Sequence, residues 1–167
     1  MSLTLAMFLV AIAANGQART PMTKGKMAAK IAKGTFDVKI TPLPVEANVG
    51  DPAIGRLSMV KQFEGEMKGT SKGQMLGIGT EVEGSGGYVA AERFIGTLGG
   101  RKGAFSLQHT GTMQGGKFEM NVAIVPDSGT DGLAGISGKM KIILEKGKHF
   151  YELEYSLAKP NAKNSTK

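Results

Sequence analysis

Cysteine is absent from this chain, which excludes disulfides, thiolate metal sites and a cysteine nucleophile. A helical period is missing as well: from Gly34 onward no apolar run recurs every 3.6 residues. No stretch reaches the roughly 20 apolar residues that would cross a bilayer as a helix. Acids are lacking at both ends. Residues 1–33 hold Arg19, Lys24, Lys26, Lys30 and Lys33 and no acid, and residues 158–167 hold Lys159, Lys163 and Lys167, again with no acid. The net charge of +7 therefore belongs to the ends, since residues 34–157 hold 13 basic and 14 acidic side chains. A near-neutral folded part has no stripe for tracking phosphates, which argues against a nucleic-acid partner. Histidine is scarce too. His109 and His149 stand 40 residues apart without clustered acids, so no metal-ligand spacing is recognisable, and no cofactor motif is present.

Glycine is abundant, with 25 residues in 167, about twice the usual share of roughly 7%. It follows no three-residue period, so it fits short strands, tight turns and bulges rather than collagen. The length allows one domain with its own core and not two. Leu3 to Ala14 is almost unbroken apolar, and Gly16-Gln17-Ala18 follows with small residues at a cleavage-like spacing. Residues 1–21 thus read as a secretory signal peptide, which would deliver the protein to the periplasm or the exterior. Against this, no Lys or Arg precedes the apolar run, and Met22 and Met27 are alternative starts for a cytoplasmic product. Residues 22–33 read as a basic linker, 34–157 as the folded domain and 158–167 as a basic tail.

Within the domain, period-two alternation dominates. Phe36, Val38 and Ile40 alternate with Thr35, Asp37 and Lys39 until Pro42 and Pro44 end the strand. Further strands are expected over residues 57–67, 70–82, 88–98, 101–113, 117–125, 139–145 and 150–157. Between them lie Gly69, Gly84 to Gly87, Gly99-Gly100, Gly115-Gly116, the loop 126–138 and Gly147. Eight such strands predict an all-β fold, a single antiparallel barrel that closes on itself and so leaves no open edge. A barrel of that size holds either packed side chains or one small ligand.

The stretch Tyr88 to Gly111, with Glu92, Arg93, Gly96, Arg101, Gly103, Phe105, Gln108 and His109, resembles the central hairpin of an uncharacterised bacterial family of unknown function. The resemblance runs on through Val125 to Gly138 and Tyr151 to Leu157, covering about residues 30–157. That family is similar in fold to allene oxide cyclases and plant dirigent proteins. With them it shares a Gly-Thr-x-Gly-[Leu/Phe]-x-x-x-x-Gly loop, here Gly129 to Gly138. The resemblance implies an eight-stranded barrel, a small apolar ligand whose cyclisation or coupling it guides, and assembly into homo-oligomers. Kinship of fold does not carry function with it.

Three motifs imitate chemistry. Gly69-Thr70-Ser71-Lys72-Gly73 spells a hydrolase nucleophile elbow, but an alternating strand follows where a helix is needed, and Ser71 reads as a turn serine at a strand start. Asp127-Ser128-Gly129-Thr130 spells an aspartic-protease loop, yet Asp and Ser before Gly are ordinary turn residues. Gly111 to Lys117 approaches a phosphate-binding loop, but Phe118 replaces the magnesium-binding hydroxyl and no helix follows.

One constellation remains. Two glycines between strands suit a primed two-residue turn, whose central positions both need positive φ. Leu98 then pairs with Arg101, Gly96 with Gly103, Phe94 with Phe105, Glu92 with Leu107 and Ala90 with His109. One face carries Tyr88, Glu92, Phe94, Leu98, Phe105, Leu107 and His109; its aromatics and leucines point it inward. Glu92 and His109 become diagonal neighbours, roughly 5–7 Å apart at Cβ. A carboxylate and an imidazole in an apolar interior form either a satisfied structural pair or an acid–base couple. Glu92 and His109 are the candidate catalytic residues, and Tyr88, Phe94, Phe105 and Leu107 the candidate ligand wall. Arg93 opposite Ser106 belongs to the outer face. Ten methionines against seven phenylalanines fit an adaptable interior. Two functions stay open: a cofactor-independent barrel that binds, and cyclises or isomerises, a small apolar molecule, or a non-enzymatic carrier or structural oligomer with a packed interior.

Overall fold

Alternation of inward apolar and outward polar side chains produces eight strands: β1 (Lys30–Pro42), β2 (Ile54–Gly65), β3 (Met67–Gly79), β4 (Gly86–Leu98), β5 (Arg101–Gln114), β6 (Lys117–Ile124), β7 (Ile136–Glu145) and β8 (Lys148–Leu157). Each pairs antiparallel with the next and β1 pairs with β8, closing the expected all-β barrel. This computed structural model describes residues 28–44 and 50–158. The signal-like segment 1–21, residues 22–27 of the basic linker, and the tail from residue 159 lie outside the described residues.

Most strand bounds move by one to three residues from expectation: β2 runs over Ile54–Gly65 rather than 57–67, β4 and β8 begin two residues early, and β7 begins at Ile136, inside the expected 126–138 loop. Two of the shifts bring a core residue into the sheet. β1 starts at Lys30 rather than at Gly34 because Ala32 points inward, buried opposite Leu153, and this pairing carries the closure onto β8. β3 starts at Met67 rather than Thr70 because Met67 is a buried core residue paired with Leu98. Ser71 consequently sits inside β3, not at a strand start.

The turn at Gly99-Gly100 has φ of 54° and 78°, and the register it sets is the expected one from Leu98↔Arg101 to Ala90↔His109. Left-handed backbone at both positions matches the twist of the flanking strands, which is why this turn fixes register so firmly.

The barrel has a packed base and an open mouth. The base holds the β2–β3 and β4–β5 turns and the β6–β7 loop. There Phe63 meets Phe94 edge to face and Phe94 meets Phe105 at a tilt, with ring centres 5.6 and 5.2 Å apart, and a 3-10 turn over Asp131–Leu133 delivers Leu133 as a plug. A Cβ on Gly103 would stand 3.1 Å from Leu133 Cβ, so the plug seats where that glycine leaves room. At the mouth the inward positions continue but are uncovered. Phe118, Met113 and Met120 face inward by register, as do Leu144 and Ile40, yet their exposures are 51%, 39%, 37%, 65% and 46%. β6 and β7 share only the pairs Val122↔Met140 and Ala123↔Lys139, so no ladder joins them at the mouth.

The two halves should respond differently to truncation. Phe63→Ala, at a fully buried position, is expected to cost about 3–5 kcal/mol. Phe118→Ala, on the same inner surface but half exposed, is expected to cost under about 1 kcal/mol. Urea unfolding of both variants checks this; equal losses would mean that the mouth is packed.

Candidate functional site

Four inward side chains meet at the floor of the open half. Glu92 on β4 receives His109 Nε2 from β5 at 2.8 Å and Lys61 Nζ from β2 at 2.8 Å, both on Oε1. Ser71 on β3 donates its hydroxyl to Oε2 at 2.5 Å. The side chains of Glu92, His109 and Lys61 are 0%, 2% and 3% exposed, and Ser71 is buried among them. Lys61 also lies over the Phe36 ring, 4.9 Å from its centre, and Phe36 stacks on His149. A glycine makes the cluster possible. Gly73 faces Glu92 in the β3–β4 register, and a Cβ there would stand 2.6 Å from Glu92 Cβ and 2.3 Å from the Ala91 carbonyl oxygen.

Burial by itself pushes the Glu92 carboxyl up, and it is the largest single influence on that group. The His109 hydrogen bond, the Lys61 charge, and the hydrogen bonds from Lys61 and Ser71 together outweigh it, bringing the group down to about 2. Glu92 is therefore ionised at neutral pH and can only accept hydrogen bonds. Its contact with His109 then requires a proton on Nε2, and Nδ1 is the ring nitrogen that the carboxylate leaves unengaged. Chemically, this is a histidine held in one tautomer by a buried carboxylate, the arrangement that equips an imidazole to take a proton.

The structure brings Glu92 and His109 together as the hairpin register requires. Tyr88 stands half-buried at the mouth, its ring 6.3 Å from that of Phe118 and close enough for the Glu92 charge to add to the burial that raises its hydroxyl. Phe94, Phe105 and Leu107 have no exposed surface and belong to the packed core. Lys61 and Ser71 escaped the sequence reading. Lys61 carried a signal in its parity, since Leu57, Met59, Lys61 and Phe63 alternate on one face and a lysine among them needs a counter-charge. Ser71 gave none, because its place depends on where β3 begins.

The imitation motifs resolve structurally. Ser128 donates to the Val125 carbonyl at 2.7 Å and accepts the Ser106 amide at 3.0 Å, and Thr130 accepts the Ala104 amide at 3.2 Å, so the loop pairs along β5 while Asp127 faces solvent. Arg93 lies on the outer face, 3.4 Å from Ser106 Oγ. An open depression of about 540 Å³ on that outer wall borders Glu92, whose side chain has no exposed surface. Among the described residues no group of three metal-ligating side chains occurs, and no helix is long and apolar enough to cross a membrane.

Residues 32–155 match the family described as protein of unknown function (DUF3224). A crystal structure of a protein of unknown function from the DUF3224 family of Shewanella oneidensis MR-1 is similar to this chain. It is 41% identical, with a TM-score of 0.71, over 78% of this chain and 98% of that one. No curated protein matches this chain.

Because the Glu92 carboxyl is held below its ordinary 4.5 in the folded protein, the stability it confers is complete above that pH and is lost as pH falls toward about 2. Between those limits the wild type should lose on the order of 3 kcal/mol more than Glu92→Gln does. Near neutral pH the variant should be the less stable by about 3–5 kcal/mol, because Lys61 is left buried without its counter-charge. Urea unfolding across the acid range checks both; parallel pH profiles for the two proteins would contradict the assignment.

Proposed function

The chain belongs to the DUF3224 family, and on that footing we propose that it binds a small, mainly apolar molecule in the open half of its barrel. One observation carries the reading: inward-facing Leu144, Phe118, Ile40, Met113 and Met120 are exposed at the mouth, whereas Phe63, Phe94, Phe105 and Leu133 at the base have no exposed surface. Leaving that much apolar surface wet is costly unless something covers it. Met75, Met113 and Met120 line or border this space, and flexible thioethers adapt to the shape of a guest. The His109–Glu92 couple at its floor favours turnover over mere storage. It supports a finer form of the same reading, a proton-shifting isomerisation or cyclisation that needs no cofactor.

The test is titration with the apolar dye N-phenyl-1-naphthylamine, whose fluorescence rises on entering an apolar site. Saturable binding near one dye per chain is expected. Leu144→Asp should weaken it about tenfold by placing a charge in the apolar mouth. The melting temperature should move by no more than about 2 °C, because Leu144 is already largely exposed. Unsaturable binding, or binding indifferent to the substitution, would refute the proposal.

A second, compatible reading is self-association through the outer wall. Ile54 pairs with Ile78 and Leu76 with Val89 on that surface, all four well exposed. Sedimentation equilibrium should then give a multiple of the chain mass that Leu76→Glu with Val89→Glu reduces; a monomeric wild type would end this reading.

A further inference from the structure

The floor of the open half specifies the polar end of its guest. Every sealed side-chain nitrogen or oxygen among the described residues has a hydrogen-bond partner. His109 makes one such bond there, through Nε2 to Glu92. Its Nδ1 has no partner among the described residues, so it is not sealed. It borders the interior space above the floor, through the 2% of the side chain that remains uncovered.

The charge state of that nitrogen follows from the neighbours. Inside the barrel Lys61 and Glu92 cancel each other at 2.8 Å. With no guest in place to offset it, a proton on both ring nitrogens would leave one uncompensated positive charge in an apolar enclosure, which disfavours that form in the resting barrel. The ring is therefore neutral, Nε2 carries the hydrogen toward Glu92, and Nδ1 presents a lone pair to the open half. The other polar groups of the floor are already engaged, since Ser71 and Lys61 both donate to Glu92.

We infer that the guest is a neutral apolar molecule bearing a hydroxyl group, which it donates to His109 Nδ1. This deepens the binding reading above and rests on it. An ether of the same shape would leave Nδ1 without a donor in a dry site. A carboxylate would bring its own lone pairs against that of Nδ1 and its charge toward Glu92. The site so described selects against fatty-acid-like anions, although a lysine lies within it, because the Lys61 charge is already spent.

Displacement of bound N-phenyl-1-naphthylamine by three compounds of one ring system tests this: 1-naphthol, 1-methoxynaphthalene and 1-naphthoate. On the wild type, naphthol is expected to displace the dye about tenfold more tightly than the ether, with naphthoate the weakest. In His109→Phe the dye should still bind and naphthol should lose its advantage over the ether. His109→Gln, whose amide oxygen can accept the same bond, should keep part of it. If His109→Phe does not fold, the wild-type ranking decides, together with nitrogen-15 NMR of the imidazoles, with His149→Gln used for assignment. That spectrum should show a neutral His109 protonated on Nε2. Equal affinity for naphthol and ether, naphthoate binding tightest, or a proton found on Nδ1 would each overturn the inference while leaving dye binding intact. A failure of the dye to bind at all would instead bring down the binding reading on which it rests.

Discussion

A carboxylate sealed inside a β-barrel must find its donors on other strands, and the placement of Glu92 depends on finding three. Lys61 from β2, Ser71 from β3 and His109 from β5 converge on a single side chain of β4. This is more than one favourable contact, because it ties four consecutive strands to one register. A slip of a single residue in any of them would turn its contributor to the outer face and leave a buried charge unpaired. Gly73 belongs to the same constraint, since any side chain there would collide with Glu92. Burial makes each of these bonds stronger and makes each omission costlier, so the cluster is all-or-nothing in character.

Around that cluster the barrel divides by packing. Below it the aromatic series of Phe63, Phe94 and Phe105 and the Leu133 plug fill the interior completely. Above it the same inward parity continues, but the strands carry glycine, methionine and widely exposed aliphatics, and β6 and β7 separate after two pairs. A closed base supplies the stability that an open mouth gives up. Functional space in small domains commonly has this arrangement, a rigid scaffold holding a less packed site. Membership of the DUF3224 family gives the fold a lineage without giving it a task, because function resides in sites and not in the fold that carries them.

Much of this was legible in the chain. The period-two pattern marks all eight strands, and the Gly99-Gly100 turn sets Glu92 and His109 on one inward face because two positive φ angles permit little else. Arg93 and the Asp127–Thr130 loop also fell where their neighbours implied. What escaped was non-local. β1 extends back to Lys30 because Ala32 is needed against Leu153, some 120 residues away. Phe94, Phe105 and Leu107 share the inward face with Tyr88 but lie deeper, where nothing reaches them. Parity tells which face a residue takes and is silent about its depth.

Sequence by itself therefore determined the fold class, the strand set, the inward face and the Glu92–His109 pairing, because alternation and tight turns are properties of short stretches of chain. Tertiary structure alone decided that Lys61 reaches Glu92 from a strand that is not its neighbour, that Ser71 joins them, and that one end of the barrel stays open. Those facts depend on closure, on the tilt it imposes across the strands, and on how far β6 and β7 remain joined. No local pattern encodes such distances; they exist only once all eight strands are in place.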